Sequence, residues 1–297
     1  LPFTLNSKSV SKMANSRIKT AKRSLRTCKY CGQSYDTTKV QCPSCKRWDA
    51  PDLTTDDGTV LLSEVSPKPL VRIPGIGPWD RCFSYNQTTH ECGLVTVQTV
   101  LIGGVPGAGK STLALQSADR IAEITGKEII YIAAEEADAQ IKDRAIRLGV
   151  KHPNKIRVYP LGATADLGEV FQKRKPAAVV VDSLPGLTSD LSQAVAMCKA
   201  FKEYAVVMGF PFIIIDHANK EETLAGLMAL QHEVDTTMLF TVFEDKKKTR
   251  QLSNMKNRFG PPQTIYLEMT EFGLIETEEY DDDNEDDETD SDWEEDE

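Results

Sequence analysis

Eight residues, Gly104-Val-Pro-Gly-Ala-Gly-Lys-Ser111, leave few folds open to this chain. They match the pattern of a loop that cradles phosphates: glycine, any four residues, glycine, lysine, serine. Such a loop works only between a buried strand and the start of a helix. Its glycines let backbone N–H groups converge on phosphate oxygens without Cβ clashes, and the helix N-terminus adds positive potential. Both flanks are in place. Val97–Gly103 reads as a strand, and a helical pattern runs from Lys110 to about Thr125. In this arrangement Gly104, Val105, Pro106, Gly107, Ala108, Gly109 and Thr112 wrap the phosphates of ATP. Lys110 neutralises the β- and γ-phosphates, and Ser111 offers its hydroxyl to Mg2+.

Downstream of the loop, apolar strands alternate with helical patterns. Glu128–Ala134, Ile156–Leu161, Ala178–Asp182 and Pro211–Asp216 are strand-like. Helices are expected over Ala137–Leu148, Leu167–Lys175 and from about Leu191 to Met208. The strands are continuously apolar, which marks an α/β fold whose mostly parallel sheet is covered on both faces. After Thr236 three strand-like runs with short turns, Met238–Glu244, Thr249–Lys256 and Gln263–Met269, predict an antiparallel or mixed edge. In such sheets ligands collect at the carboxyl ends of the strands. Asp182 ends one strand there and suits the Mg2+ shell. Glu135 and Glu136 end another; Glu135 is the candidate for polarising an attacking water, and Glu136 leads into the next helix. Helix-start charge opposite the dipole would explain either glutamate equally well. His217 ends a third strand, where it could sense the γ-phosphate or simply satisfy local hydrogen bonds.

Cysteines mark a second unit. Cys28 and Cys31, then Cys42 and Cys45, form two C-x2-C knuckles separated by ten residues. That spacing suits a closed tetrahedral Zn2+ site, structural rather than catalytic because no position stays open. Cys82, Cys92 and Cys198 fit no pattern and read as buried or inert. Composition then divides the chain into a basic segment over 1–26, a zinc module over 27–47, a linker over 48–70, a nucleotide-binding domain over 71–275 and an acidic tail over 276–297. The tail holds 16 acids and no base. Removing those 16 from the chain's 45 acids leaves 29 against 35 bases, so a net charge of −10 conceals a body of +6. Nucleic acid therefore stays open as a partner. No run approaches the ~20 apolar residues of a membrane span, and the opening segment has no signal-peptide core. The expectation is a cytoplasmic protein.

Together the motifs resemble the RadA/Sms family of bacterial recombination ATPases, which are RecA-like. The shared order is the four-cysteine motif, Arg72-Ile-Pro-Gly75, the phosphate loop, Tyr131-Ile-Ala-Ala-Glu-Glu136 and Gln140-Ile-Lys-Asp-Arg-Ala-Ile-Arg-Leu-Gly149. Asp216-His-Ala-Asn-Lys-Glu221, Ala225-Gly226 and His232-Glu-Val-Asp235 follow, and Lys256-Asn-Arg-Phe-Gly260 is the family's own signature. The resemblance covers about 27–275. It implies a RecA-like core in a homo-hexameric ring that threads single-stranded or branched DNA and drives branch migration. It implies Glu135 as the catalytic glutamate, His217 at the sensor strand end, Lys220 on a DNA-facing loop, and Lys256 and Arg258 as cations extended to a neighbour's nucleotide. The family carries a Lon-protease-like domain after the ATPase, where this sequence has the acidic tail. A short form of this kind would suit a virus or mobile element, acting in the host cytoplasm.

The reading is thus an ATP-dependent, DNA-stimulated motor for recombination, repair or replication, using ATP, Mg2+ and Zn2+. One alternative is a hexameric replicative helicase of DnaB type. Another is a non-motor ATP switch that loads a recombinase or single-strand-binding protein. The tail, with Trp293 near its end, is expected to compete with DNA or to capture such a replication partner.

Overall fold

A computed structural model describes residues 25–28, 33–36, 43–44, 70–160, 163, 166–217, 223–243 and 248–277. Cys31, Cys42, Cys45, Lys220 and 278–297 lie outside the described residues, as do nearly all of the basic segment and the linker. Of the cysteine unit, strands β1 (Leu25–Thr27) and β2 (Ser34–Asp36) pair antiparallel, and Cys28 is buried just past β1 with its N–H donating to the Gln33 carbonyl at 2.9 Å.

The main body is one nine-stranded sheet. In chain order its strands are β5 (Thr99–Gly104), β6 (Ile129–Ala133), β7 (Ile156–Tyr159), β8 (Ala178–Asp182), β9 (Phe212–Ile215), β10 (Thr236–Val242), β11 (Thr249–Asn257), β12 (Thr264–Thr270) and β13 (Gly273–Glu276). Across the sheet they run β13-β12-β11-β10-β5-β9-β8-β6-β7. Every pairing from β10 to β7 is parallel, and those from β10 to β13 are antiparallel. The expected mixed edge is therefore present, with β13 as a fourth strand beyond the three expected from sequence. Glu276, assigned to the tail by composition, still pairs with Leu267.

Burial explains the apolar strands. Val100, Ile102, Tyr131, Val180 and Ile213 pack on one face against the helix α2 (Lys110–Thr125), with Trp79 and Phe83 beside them. Leu101, Ile130, Ile132, Val179, Val181, Phe212 and Ile214 pack on the other, against α6 (Leu191–Met208) and Phe171 of α4 (Leu167–Arg174). Successive side chains alternate between faces, and both faces are covered. Each fully buried Ile, Leu or Phe contributes ~1.5–3 kcal/mol. Helix α3 (Asp138–Arg147) is different, for it buries only Ile141 fully. Short pieces escaped the sequence reading: α1 (Asp80–Phe83), α5 (Leu184–Leu187), and the two-residue strands β3 (Arg72–Ile73) and β4 (Leu94–Val95). So did α7 (Thr223–Gln231), whose Leu227 and Leu230 are buried in the second core. Among the described residues, no helix is long and apolar enough to cross a membrane.

Candidate nucleotide-binding site

The parallel strands bring the predicted residues to one edge. β5 ends in Gly104, β6 runs into Glu135 and Glu136, β8 ends in Asp182, and β9 leads to Asp216 and His217. A cleft of about 460 Å3 opens at this edge, lined by the phosphate loop, Ser111, Glu136, Arg144, Arg147, His217 and Met269. Gly104 (φ 150°) is required by close approach, since a Cβ there would stand 2.4 Å from the Phe240 carbonyl oxygen on β10. Gly109 precedes α2 in the left-handed region at φ 108°, so the loop turns straight into the helix N-terminus.

Lys110 Nζ is buried and donates to the carbonyls of Gly104 at 2.6 Å and Val105 at 2.9 Å. Burial pulls its pKa down to about 8, against the opposing pull of Asp182, Asp216 and Glu135. Phosphates in the cleft would add to the counter-charge that these three carboxylates supply. Ser111 Oγ donates to Asp182 Oδ1 at 3.1 Å, and Tyr131, wholly buried in β6, donates its hydroxyl to Asp182 Oδ2. Desolvation raises the Asp182 carboxyl. A hydroxyl beside a strand-end carboxylate, next to the phosphate loop, fits Mg2+, which keeps several waters and takes only one or two carboxylates plus phosphates. Among the described residues no group of three or more His, Cys, Asp or Glu forms a metal cage, and this chemistry calls for none.

Glu135 stands beside this pair. Ser183 donates to its Oε1, and His217 Nε2 lies 3.1 Å from its Oε2, an ion-pair distance outside hydrogen-bonding alignment. His217 thus reaches the glutamate expected to handle water. Gly186 of α5 makes room, because a Cβ would fall 2.6 Å from Glu135 Cγ.

Lys256 and Arg258 are not brought into this cleft. The register pairs Phe240 with Gly104 but Thr236 with Asn257, so the two cations sit at the opposite end of β10. Four residues of strand amount to ~13 Å. There Lys256 Nζ donates to the Val234 carbonyl at 2.9 Å, while Arg258 Nη1 and Lys202 Nζ meet the buried Asp235 Oδ1 at 3.2 and 2.7 Å.

Several contributors were not singled out from the sequence. Arg250 Nε on β11 donates to the Ala108 carbonyl at 3.0 Å and braces the loop. Arg144 of α3 pairs with Glu136, and Arg147 donates to the Glu271 carbonyl at 2.8 Å, tying α3 to the β12–β13 turn. An arginine on a charged helix carries no local signal of its partner. The phenol of Tyr131 inside an apolar strand was the one visible hint, as a buried hydroxyl needs a partner.

Known proteins agree with this geometry. A family model described as "ATPase: KaiC" matches residues 78–158. The DNA repair protein RadA of Aquifex aeolicus is 32% identical over 266 residues, 84% of this chain and 58% of that protein. RadA of Campylobacter jejuni is 33% identical over 273 residues, 85% of this chain and 60% of its own length. The chain therefore spans under two thirds of the RadA proteins it matches. By structure, a KaiC-like protein of Pyrococcus horikoshii superposes with a TM-score of 0.59 at 18% identity, over 71% of this chain and all of that one. A second solved structure, an isolated ATPase domain, does so with a TM-score of 0.52 at 15% identity, over 63% of this chain and 87% of that domain. Those two likenesses speak to fold, and the fold is that of the RecA-like ATPases.

Proposed function

We propose, from the premise that the chain is related to the RadA family over 84% of its length, that it is an ATP-driven DNA motor of RadA type. Hydrolysis would serve recombination, repair or replication. The observation that carries this reading is the sheet edge itself, where Lys110 and Ser111 line the cleft, Asp182 accepts from Ser111, and Glu135 accepts from Ser183, next in the chain after Asp182. In this reading the loop N–H groups and Lys110 bind the phosphates, Ser111 and Asp182 hold Mg2+, and Glu135 orients and deprotonates the attacking water. His217 positions Glu135 and couples the nucleotide to the residues that follow β9, among them Lys220, assigned here to DNA. When bound, Mg2+ supplies charge neutralisation of the phosphates.

Lys256 and Arg258 act on a neighbour's nucleotide, because they stand at the far edge from their own phosphate loop. The working form is then a homo-oligomer, a ring of six by resemblance. Cys28, Cys31, Cys42 and Cys45 hold Zn2+ and assist DNA or partner binding.

The test is ATP turnover by the full chain with and without single-stranded DNA, beside unwinding of a forked duplex. Lys110→Ala is expected to abolish turnover while circular dichroism stays native. Turnover close to the parent's in that variant rejects the site. DNA-stimulated turnover without any directed unwinding or branch migration assigns the chain to the switch class.

A further inference from the structure

Glu136 and Arg144 line the cleft and are half-matched. Arg144 Nη2 bonds Glu136 Oε1, yet Arg144 Nη1 and Glu136 Oε2 are both buried and without a hydrogen-bond partner. An arginine and a carboxylate that existed only to tie α3 to the end of β6 would close both legs of the fork. Here one leg is made and two buried polar atoms are left over, which is unfavourable. Unmet buried groups at a cleft mark where a ligand completes them. The adjacent Glu135 differs in this respect, since it has Ser183 on one oxygen and His217 beside the other.

The charge of the ligand group follows from the atom. A carboxylate oxygen repels phosphate, so the partner of Glu136 Oε2 is a cation or its waters. Ser111, which donates to Asp182 Oδ1 at 3.1 Å, lines the same cleft as Glu136 and Arg144, and the Ala134 N–H, two residues before Glu136, donates to the Asp182 carbonyl at 2.8 Å. We propose that Glu136, through Oε2, is a second carboxylate for the hydrated magnesium ion beside Asp182, and that Arg144 is the positioning residue that presents it. This rests on the nucleotide-site reading above. It gives the second glutamate a task distinct from that of Glu135, and it gives α3 a reason to hold a partly buried cation against Glu136.

The experiment follows a fluorescent, non-hydrolysable ATP analogue bound to the full chain. Binding is measured first in EDTA and then across a Mg2+ titration, with Mn2+ binding followed by electron paramagnetic resonance. Glu136→Gln, which keeps the shape, is expected to raise the half-saturating Mg2+ and Mn2+ concentrations roughly 10-fold, the usual effect of losing a group that orients a metal's ligands. Its affinity in EDTA does not fall, because the change removes a carboxylate that repels the phosphates. Arg144→Ala shifts the metal dependence the same way, and Arg144→Lys recovers part of it. An unchanged metal dependence in Glu136→Gln overturns the proposal. So does an Arg144→Ala variant that loses affinity equally in EDTA, which would make Arg144 a phosphate ligand instead. Failure of the parent chain to bind the analogue in either condition rejects the nucleotide site itself, a different outcome from either of these.

Discussion

Lys110 shows how one residue's burial becomes a pH dependence. Its folded pKa of about 8 lies below the ordinary lysine value of 10.5. The unfolded chain therefore binds more protons between those values, and this group's contribution to stability rises with pH across that window. Nucleotide affinity moves the other way. Above pH 8 the amine must take up a proton before it can neutralise phosphate, so metal-free affinity should fall by up to ~10-fold per pH unit. Lys110→Arg should flatten that profile, because a guanidinium keeps its charge throughout. Calorimetric titrations from pH 7 to 9.5 check this, and a flat parent profile removes Lys110 from the phosphates. Two buried thiols of the core take no part in such chemistry. Burial pushes Cys82 and Cys198 up to about 12, so both stay protonated, as their lack of pattern suggested.

Among elements, α5 is the piece whose seating decides the site. It follows β8 directly and rests against the end of β6, where an added Cβ on Gly186 would meet Glu135 Cγ at 2.6 Å and the Ala134 carbonyl oxygen at 2.7 Å. The carbonyl belongs to backbone and cannot give way cheaply. Gly186→Ala should cost about 1–3 kcal/mol, as overpacking does. It should also depress kcat more than it raises KM, since Glu135 moves while the phosphate loop does not. Thermal melts with steady-state kinetics read both, and a variant that melts and turns over like the parent disproves the contact. β11 shows the same coupling between elements. One strand carries Arg250, which braces Ala108 beside the phosphates, and Lys256 at the far edge of the sheet.

Across the whole molecule, that far edge matters most. If Arg258 serves a neighbour, Arg258→Ala subunits and Lys110→Ala subunits are each inactive alone. Mixed, they should regain part of the turnover, at interfaces that join an intact loop to an intact finger. No recovery at any mixing ratio rejects action between subunits. Charge gives a second prediction at this scale. If the chain takes DNA as proposed, the 16 acids of 276–297 are expected to compete with it for a body of +6. Because Glu276 pairs in β13 and the Thr277 N–H donates to the Tyr266 carbonyl, the clean truncation ends after Thr277. It should tighten single-stranded DNA binding, most at low salt and less as ions screen the tail. Equal affinities at every salt concentration exclude self-competition.

The local pattern by itself determined the phosphate loop and the elements that carry it. The loop needs a strand before it and a helix after it, and both are written in adjacent residues. β8 and α6 were legible to their boundaries, because an unbroken Val run and a capped apolar helix need no distant partner to be recognised. Asp182, Glu135 and His217 were legible as strand ends, since parallel strands deliver their carboxyl ends to one edge. Only the tertiary structure decided what those residues meet. Ser111 and Asp182 are far apart in sequence, as are Arg250 and Ala108, and Tyr131 and Asp182. No periodicity encodes a contact across strands. Glu136 and Arg144 make the point within one segment, where two charges that read as helix surface become a partly buried, half-closed pair. Strand order also decided the place of Lys256 and Arg258, for an antiparallel return carries the end of β11 away from its own phosphate loop.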